Sequence, residues 1–354
     1  MMICEAVGLK EEEAAMRELP SFIEGMPKAE LHLHLEGTLE PELKFELAAR
    51  NGLDLSLGSV EEMRAAYDFD DLPSFLDVYY EGMSVLLTEH DFYDLAMAYC
   101  RKAHSQNVVY AEVSFDPQAH TSRGIPLETV IGGFRRAQQD AESSLGLRTQ
   151  LIMCFLRDMT ADSANETLAQ SLPYRDWIIG VGLDSDEKGN PPIKFKEVFE
   201  QARSHGFHLT MHCDVDQENS VEHIWQCLNN IGVERIDHGV NSLEDDGLVK
   251  EIIARGLGLT VCPISNSYVT DGLKAREFKT MLDLGMRATI NSDDPAYFPG
   301  YMNENLTTVQ EAVGLTRDEI AQLARNAFTI AWLDEPARGR YLDALETYVA
   351  DTVS

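Results

Sequence analysis

Two histidines stand two residues apart in Ala29-Glu30-Leu31-His32-Leu33-His34-Leu35-Glu36-Gly37. Side chains of a strand alternate faces, so Leu31, Leu33 and Leu35 share one face and His32 and His34 the other. The leucine face asks for a core. The other face then offers two imidazoles pointing the same way, beside a glycine. Imidazole is the commonest protein metal ligand and suits Zn, Fe, Cu and Ni. Taken alone, the pair reads more readily as two surface histidines on the polar side of a half-buried strand. Further along, His212 ends the run His208-Leu209-Thr210-Met211, and His238 follows Arg235-Ile236-Asp237. Asp293 and Asp294 follow Ala288-Thr289-Ile290-Asn291-Ser292, and Asp184 ends Gly180-Val181-Gly182-Leu183. Three histidines and a carboxylate make a four-ligand set for a divalent metal that keeps an open position for water.

These residues need elements that bring them to one place. After the first strand, residues 42–106 have helical periodicity nearly throughout, too much for one crossover helix. An extra helical excursion near Tyr67 to Tyr80 is expected, either lidding a site or filling the core. Short apolar runs then alternate with amphipathic helices. The runs are 108–115, 148–155, 178–184, 208–213, 235–240, 258–265 and 287–294. The helices between them include 127–145, 195–205, 221–231 and 242–255, and 317–330 and 337–351 close the chain. With the first strand this makes eight β/α units. Alternation implies a parallel sheet covered by helices, and eight units imply an α/β fold of (β/α)8 barrel type. A doubly wound open sheet is the alternative, but no Gly-x-Gly-x-x-Gly follows a strand. In a (β/α)8 barrel the active site lies at the carboxyl ends of the strands, where all these polar residues fall. No linker, repeat or low-complexity tract divides residues 1–354, so a single domain is expected.

Composition narrows the partners. The chain has 354 residues, 44% of them hydrophobic, and a formal charge of −31. That charge repels nucleic acid and anionic membranes, and it favours a neutral or cationic small molecule. No apolar stretch reaches the roughly 18–20 residues that span a bilayer. The first twenty residues are acidic and unlike a secretory leader. The cysteines, Cys4, Cys100, Cys154, Cys213, Cys227 and Cys262, lack Cys-x-x-Cys spacing. Reduced thiols in a cytoplasmic protein are the expectation. A homo-oligomer is compatible with the sequence. The remaining histidines, His90, His104, His120, His205, His208 and His223, read as structural or solvated.

The stretch Pro27-Lys28-Ala29-Glu30-Leu31-His32-Leu33-His34-Leu35-Glu36-Gly37 resembles the first motif of the adenosine/adenine deaminase family of the amidohydrolase superfamily. Ile236-Asp237-His238-Gly239 and Asn291-Ser292-Asp293-Asp294-Pro295 resemble its later motifs, in the same order. The resemblance covers nearly the whole chain. It implies a (β/α)8 barrel with one zinc ion held by His32, His34, His212 and Asp293, and hydrolytic deamination at purine C6. Phe115-Asp116-Pro117-Gln118-Ala119-His120-Thr121 and the stretch from Gly182 to Pro192 are similar to the adenine branch. One motif departs. The family carries His-Ala-Gly-Glu at the end of strand five, its glutamate passing a proton to purine N1. Here the text is His212-Cys213-Asp214-Val215-Asp216, and valine moves no proton. Asp216 is the first candidate for that role and Asp214 the second.

On this resemblance His238 is expected to orient the attacking water and stabilise charge on the developing oxyanion. Asp293 is expected to serve as both ligand and hydrogen-bond partner of that water. Asp294 would bind N7, the backbone N–H of Gly182 would donate to N3, and Asp184 and Glu187 would meet the ring edge that carries ribose in nucleosides. The expected substrate is adenine or an N6-substituted adenine such as a cytokinin. Adenosine is the alternative within the class, and a purine-binding protein without turnover is the alternative outside it. The other class of zinc deaminase, with His-x-Glu and Pro-Cys-x-x-Cys, is excluded because no Cys-x-x-Cys occurs.

Overall fold

The computed structural model describes residues 19–69, 71–213 and 217–352. Its eight strands are β1 (Lys28–Glu30), β2 (Val108–Phe115), β3 (Arg148–Leu156), β4 (Ile178–Asp184), β5 in two pieces (His208–Leu209 and His212–Cys213), β6 (Arg235–His238), β7 (Gly258–Val261) and β8 (Arg287–Ile290). β1 through the first piece of β5 form one parallel run, and the second piece of β5 through β8 form another. Backbone bonds carry the fifth strand across its break. Thr210 N donates to Val181 O at 3.1 Å, and Asp237 N donates to Met211 O at 2.8 Å. The ring closes where Leu33 bridges Asp293 and His34 bridges Ser114. His34 N donates to Asp293 O at 3.0 Å, and Asp293 N to His32 O at 3.1 Å. The fold is a (β/α)8 barrel.

The regular first strand is shorter than its sequence suggests. It ends at Glu30, because the next backbone amide, that of Leu31, bonds the Asn291 side chain at 2.8 Å instead of a neighbouring strand. The alternation beyond it still holds. Leu31, Leu33 and Leu35 are buried in the core, and the His32 and His34 rings lie 5.7 Å apart at one rim. β6, β7 and β8 likewise stop short of the apolar runs that announced them. The residues after β7 turn at once into the helix Pro263–Val269. In contrast β2 and β4 and the helices Leu127–Leu145 and Arg317–Ile330 have the bounds their periodicity predicts.

The excursion after β1 is real. It contains the helix Leu72–Gly82, capped by a reciprocal box in which Asp71 accepts from the Ser74 backbone and Ser74 from that of Asp71. Phe75 packs on Phe298 with ring centroids 4.6 Å apart. This helix lies across the carboxyl-end mouth of the barrel, and Tyr80 Oη donates to Ser185 Oγ at 2.8 Å on the far rim. No helix among the described residues is long and apolar enough to cross a membrane, and no disulfide occurs among them.

Candidate active site

Four donor atoms converge at the carboxyl rim. His32 Nε2 lies 3.0 Å and His34 Nε2 3.2 Å from His212 Nε2. Asp293 Oδ1 lies 3.3 Å from His32 Nε2 and 3.5 Å from His34 Nε2. Ligands at about 2.0–2.1 Å around a tetrahedral zinc stand about 3.3–3.4 Å from one another. The four spacings given lie near that edge. Three bare imidazole nitrogens this close have no mutual hydrogen bonding that satisfies them all, and a cation between them does.

The other ring nitrogens say the same. His32 Nδ1 faces Thr260 O at 2.9 Å, and His212 Nδ1 faces Leu183 O at 3.1 Å. His34 Nδ1 lies 3.4 Å from Asp184 Oδ2. With Nδ1 facing an acceptor, a proton belongs there, and a metal displacing any proton on Nε2 would meet the Nε2 lone pair. Behind them Asp237 accepts from the Thr210 and Thr260 hydroxyls, both at 2.7 Å. The buried Arg157 guanidinium donates to His212 O at 3.0 Å, pinning the end of β5.

His238 lies beside the same cluster. Its Nε2 is 3.7 Å from the second carboxylate oxygen of Asp293, Oδ2, and donor atoms of His32, His212, His238 and Asp293 all lie within 4.8 Å of one another. His238 and Asp293 both take the left-handed backbone, with φ of 63° and 64°. Non-glycine residues rarely adopt it, and such strain gathers at working sites. Gly37 explains the glycine of the first motif. A Cβ there would lie 2.0 Å from Asp294 Oδ1, so only glycine lets that carboxyl pass.

Burial sets the charges. It pulls His34 and His238 down to about 4, and His212 falls well below the usual imidazole range. Burial also opposes charge on His32, but the neighbouring Asp293 carboxylate wins and raises it to about 9. Asp293 itself is held far below the usual carboxylate range, its burial overcome by the surrounding imidazoles. Its neighbours go the other way. Burial, reinforced by nearby carboxylates, pushes Asp116, Asp184 and Asp294 well above the usual range.

These groups open into one cleft, enclosing about 690 Å³ counted out to its mouth. Its floor holds His34, His212, His238 and Asp293, and its walls include Asp116, Asp184, Asp294, Glu187 and Asn266. The lid helix supplies Leu72, Phe75, Leu76, Tyr79 and Tyr80, and Val269 and Phe298 face them. No Lys or Arg occurs among the described residues lining it.

The sequence therefore brings together His32, His34, His212, His238, Asp293, Asp294, Asp184 and Glu187. Gly182 is not among the residues that line the cleft. A Cβ at that position would lie 2.6 Å from Cys154 Sγ, so the glycine there makes room for a neighbouring strand. Asp214 and Asp216, the two proton-shuttle candidates, lie outside the described residues. Sequence reasoning missed Asp116, Tyr79, Tyr80 and Asn266 as cavity residues. Asp116 ends β2 just as Asp184 ends β4, a signal that could have found it. The tyrosines and the asparagine sit on helices whose approach no periodicity reports. Of the histidines read as structural, His120 is fully buried and bonds Glu36 Oε1 at 2.8 Å.

Comparisons with known proteins bear on the family and the fold. The adenosine deaminase family profile matches residues 27–348. An uncharacterized deaminase of Schizosaccharomyces pombe is 54% identical over 336 residues, covering 95% of this chain and 99% of that protein. An adenine deaminase of Hahella chejuensis is 49% identical over 333 residues, covering 94% and 99%. Among solved structures, adenine deaminase from Arthrobacter aurescens superposes with a TM-score of 0.89 at 42% identity, covering 92% of this chain and all of that one. A zinc-bound amidohydrolase from Burkholderia ambifaria gives 0.85 at 25% identity, covering 94% of each. The chain belongs to the adenosine deaminase family and is a hydrolase of C–N bonds in cyclic amidines, a deaminase.

Proposed function

We propose that the protein hydrolyses the exocyclic C–N bond of a free 6-aminopurine base, converting adenine to hypoxanthine and ammonia, with one zinc ion per chain. The observation that carries this reading is the cleft itself. A cluster of His and Asp donors sits beside three buried carboxyls, Asp116, Asp184 and Asp294, whose pKa burial pushes up, and no Lys or Arg is among the described lining residues. A neutral carboxylic acid both donates and accepts, which suits the alternating N and N–H edge of a purine base. A phosphate group would find no counter-charge there, which argues against nucleotides.

His32, His34, His212 and Asp293 would hold the metal. When bound, zinc supplies a water whose pKa falls from about 15.7 to about 7. His238 and Asp293 would orient that water toward C6. The new C–O bond forms and the C–N bond breaks. One water proton ends on ring N1 and the other leaves with the amine. Asp216, or failing that Asp214, would deliver the proton to N1. Asp294, which lines the cleft, would face N7. Asp184 and Glu187 would face the N3–N9 edge, where ribose would otherwise sit.

An N6-substituted adenine is the second reading. The apolar group formed by Leu72, Phe75, Leu76, Val269 and Phe298 lies in the same cleft and could take an alkyl substituent. The test is parallel turnover of adenine, N6-isopentenyladenine, adenosine and AMP by zinc-loaded protein. Highest kcat/KM on a free base is expected. Preference for adenosine or AMP would overturn the free-base reading, and bound zinc with no purine turnover would overturn the deaminase reading.

A further inference from the structure

Asn266 lies on the helix Pro263–Val269, just beyond β7. β7 pairs with β6 on one side and β8 on the other. The end of β7 therefore stands between His238 and the Asp293–Asp294 pair. Asn266 is fully buried and lines the cleft with them. Its backbone is committed: Asn266 N donates to Cys262 O at 3.0 Å, and its carbonyl accepts from Thr270 N at 2.9 Å. Its side chain is not. Neither Oδ1 nor Nδ2 makes a well-formed hydrogen bond, and a polar neighbour is the His238 ring, on which the amide acts to favour the protonated form. Buried amides are almost always bonded, and one that is not calls for an explanation. The helix gains nothing from this amide, since a leucine would fill the same volume without the unmet donors and acceptor.

We propose that Asn266 is a further catalytic residue, whose amide oxygen accepts an N–H of the exocyclic amine on the purine carbon under attack. The inference rests on the deaminase reading above. Strand order puts Asn266 beside the groups that face that carbon. An asparagine amide is a good acceptor for the adenine amino group. The bond holds the amine as the C–N bond breaks and the nitrogen takes up its third hydrogen.

The test compares Asn266→Ala and Asn266→Leu with the unaltered enzyme, all zinc-loaded, on adenine and on 6-chloropurine. Hydrolysis of 6-chloropurine gives the same product but releases chloride, which has no N–H. The expected result is a loss of kcat/KM on adenine of about 10–100-fold, with 6-chloropurine changed by less than about threefold. Zinc content and melting temperature should hold or rise, because an unsatisfied amide has been removed. Asn266→Leu keeps the volume, so collapse of the cavity in the alanine variant cannot imitate the result. Equal losses on both purines, or adenine kcat/KM within about twofold of the unaltered enzyme, would overturn the proposal alone. Turnover of neither purine by the unaltered enzyme would overturn it together with the deaminase reading.

Discussion

His32, His34 and His212 each turn Nδ1 outward to an acceptor and Nε2 inward to one point. The acceptors behind them matter for that reason. Thr260 Oγ1 lies 3.1 Å from His32 Nδ1 and donates to Asp237 at 2.7 Å, linking two of the outer partners. Thr260→Val should weaken zinc binding by about 10–100-fold without unfolding the protein, read by chelator competition. Unchanged affinity would show that the hydroxyl plays no part in holding the ring. A second residue tests the burial of charge far from the cleft. Lys28 Nζ bonds the carbonyls of Ile23 at 2.6 Å and Met26 at 2.7 Å, and burial lowers its pKa to about 7. The unfolded chain then binds more protons than the folded one from about pH 7 up to the ordinary lysine value of 10.5. Stability contributed by this residue rises with pH across that window. Between pH 7 and 9 the wild type should gain roughly 2 kcal/mol relative to Lys28→Met in urea unfolding. A constant difference would contradict it.

At the scale of elements, the lid helix lines the cleft, and the residues that follow β5 in sequence include the two proposed proton donors. The lid rests on aromatic packing, Phe75 against Phe298 and Tyr297, and on one polar crossing from Tyr80 to Ser185. A typical hydrogen bond contributes about 0.5–1.5 kcal/mol net. Tyr80→Phe should therefore raise KM by roughly 2- to 13-fold, with little change in melting temperature. An unaltered KM would mean that closure does not depend on this contact. The end of β5 is where the family pattern is broken by Val215. If Asp216 supplies the proton, Asp216→Asn should lower kcat by about 10²–10⁴-fold while zinc stays bound. An active Asp216→Asn variant would move the role to Asp214.

At the scale of the molecule, most of the barrel was legible because its periods are long and repeated. β2 and β4, which are buried along their lengths, matched their apolar runs to the residue. β6, β7 and β8 did not: β6 ends at His238, and the residues after β7 and β8 turn into the helix that carries Asn266 and the turn that carries Asp293. Those turns depend on left-handed backbone at His238 and Asp293, which no hydrophobic pattern reports. The metal-type cluster was legible from residue type at strand ends. The tyrosines of the lid were not legible as cavity walls, because their side chains reach the site only through the packing of a helix across the mouth.

The central claim joins the donor cluster to purine hydrolysis, and one paired assay tests it. Protein stripped with a chelator and protein reloaded with one equivalent of zinc are each incubated with adenine. Hypoxanthine absorbance and ammonia are followed together, with the melting temperature measured in parallel. Stoichiometric zinc should restore turnover and raise the melting temperature by several degrees, since a ligand at a thousand times its Kd adds about 4.1 kcal/mol. Turnover that survives complete removal of metal, or zinc that stabilises the fold while adenine remains unchanged, would contradict the account.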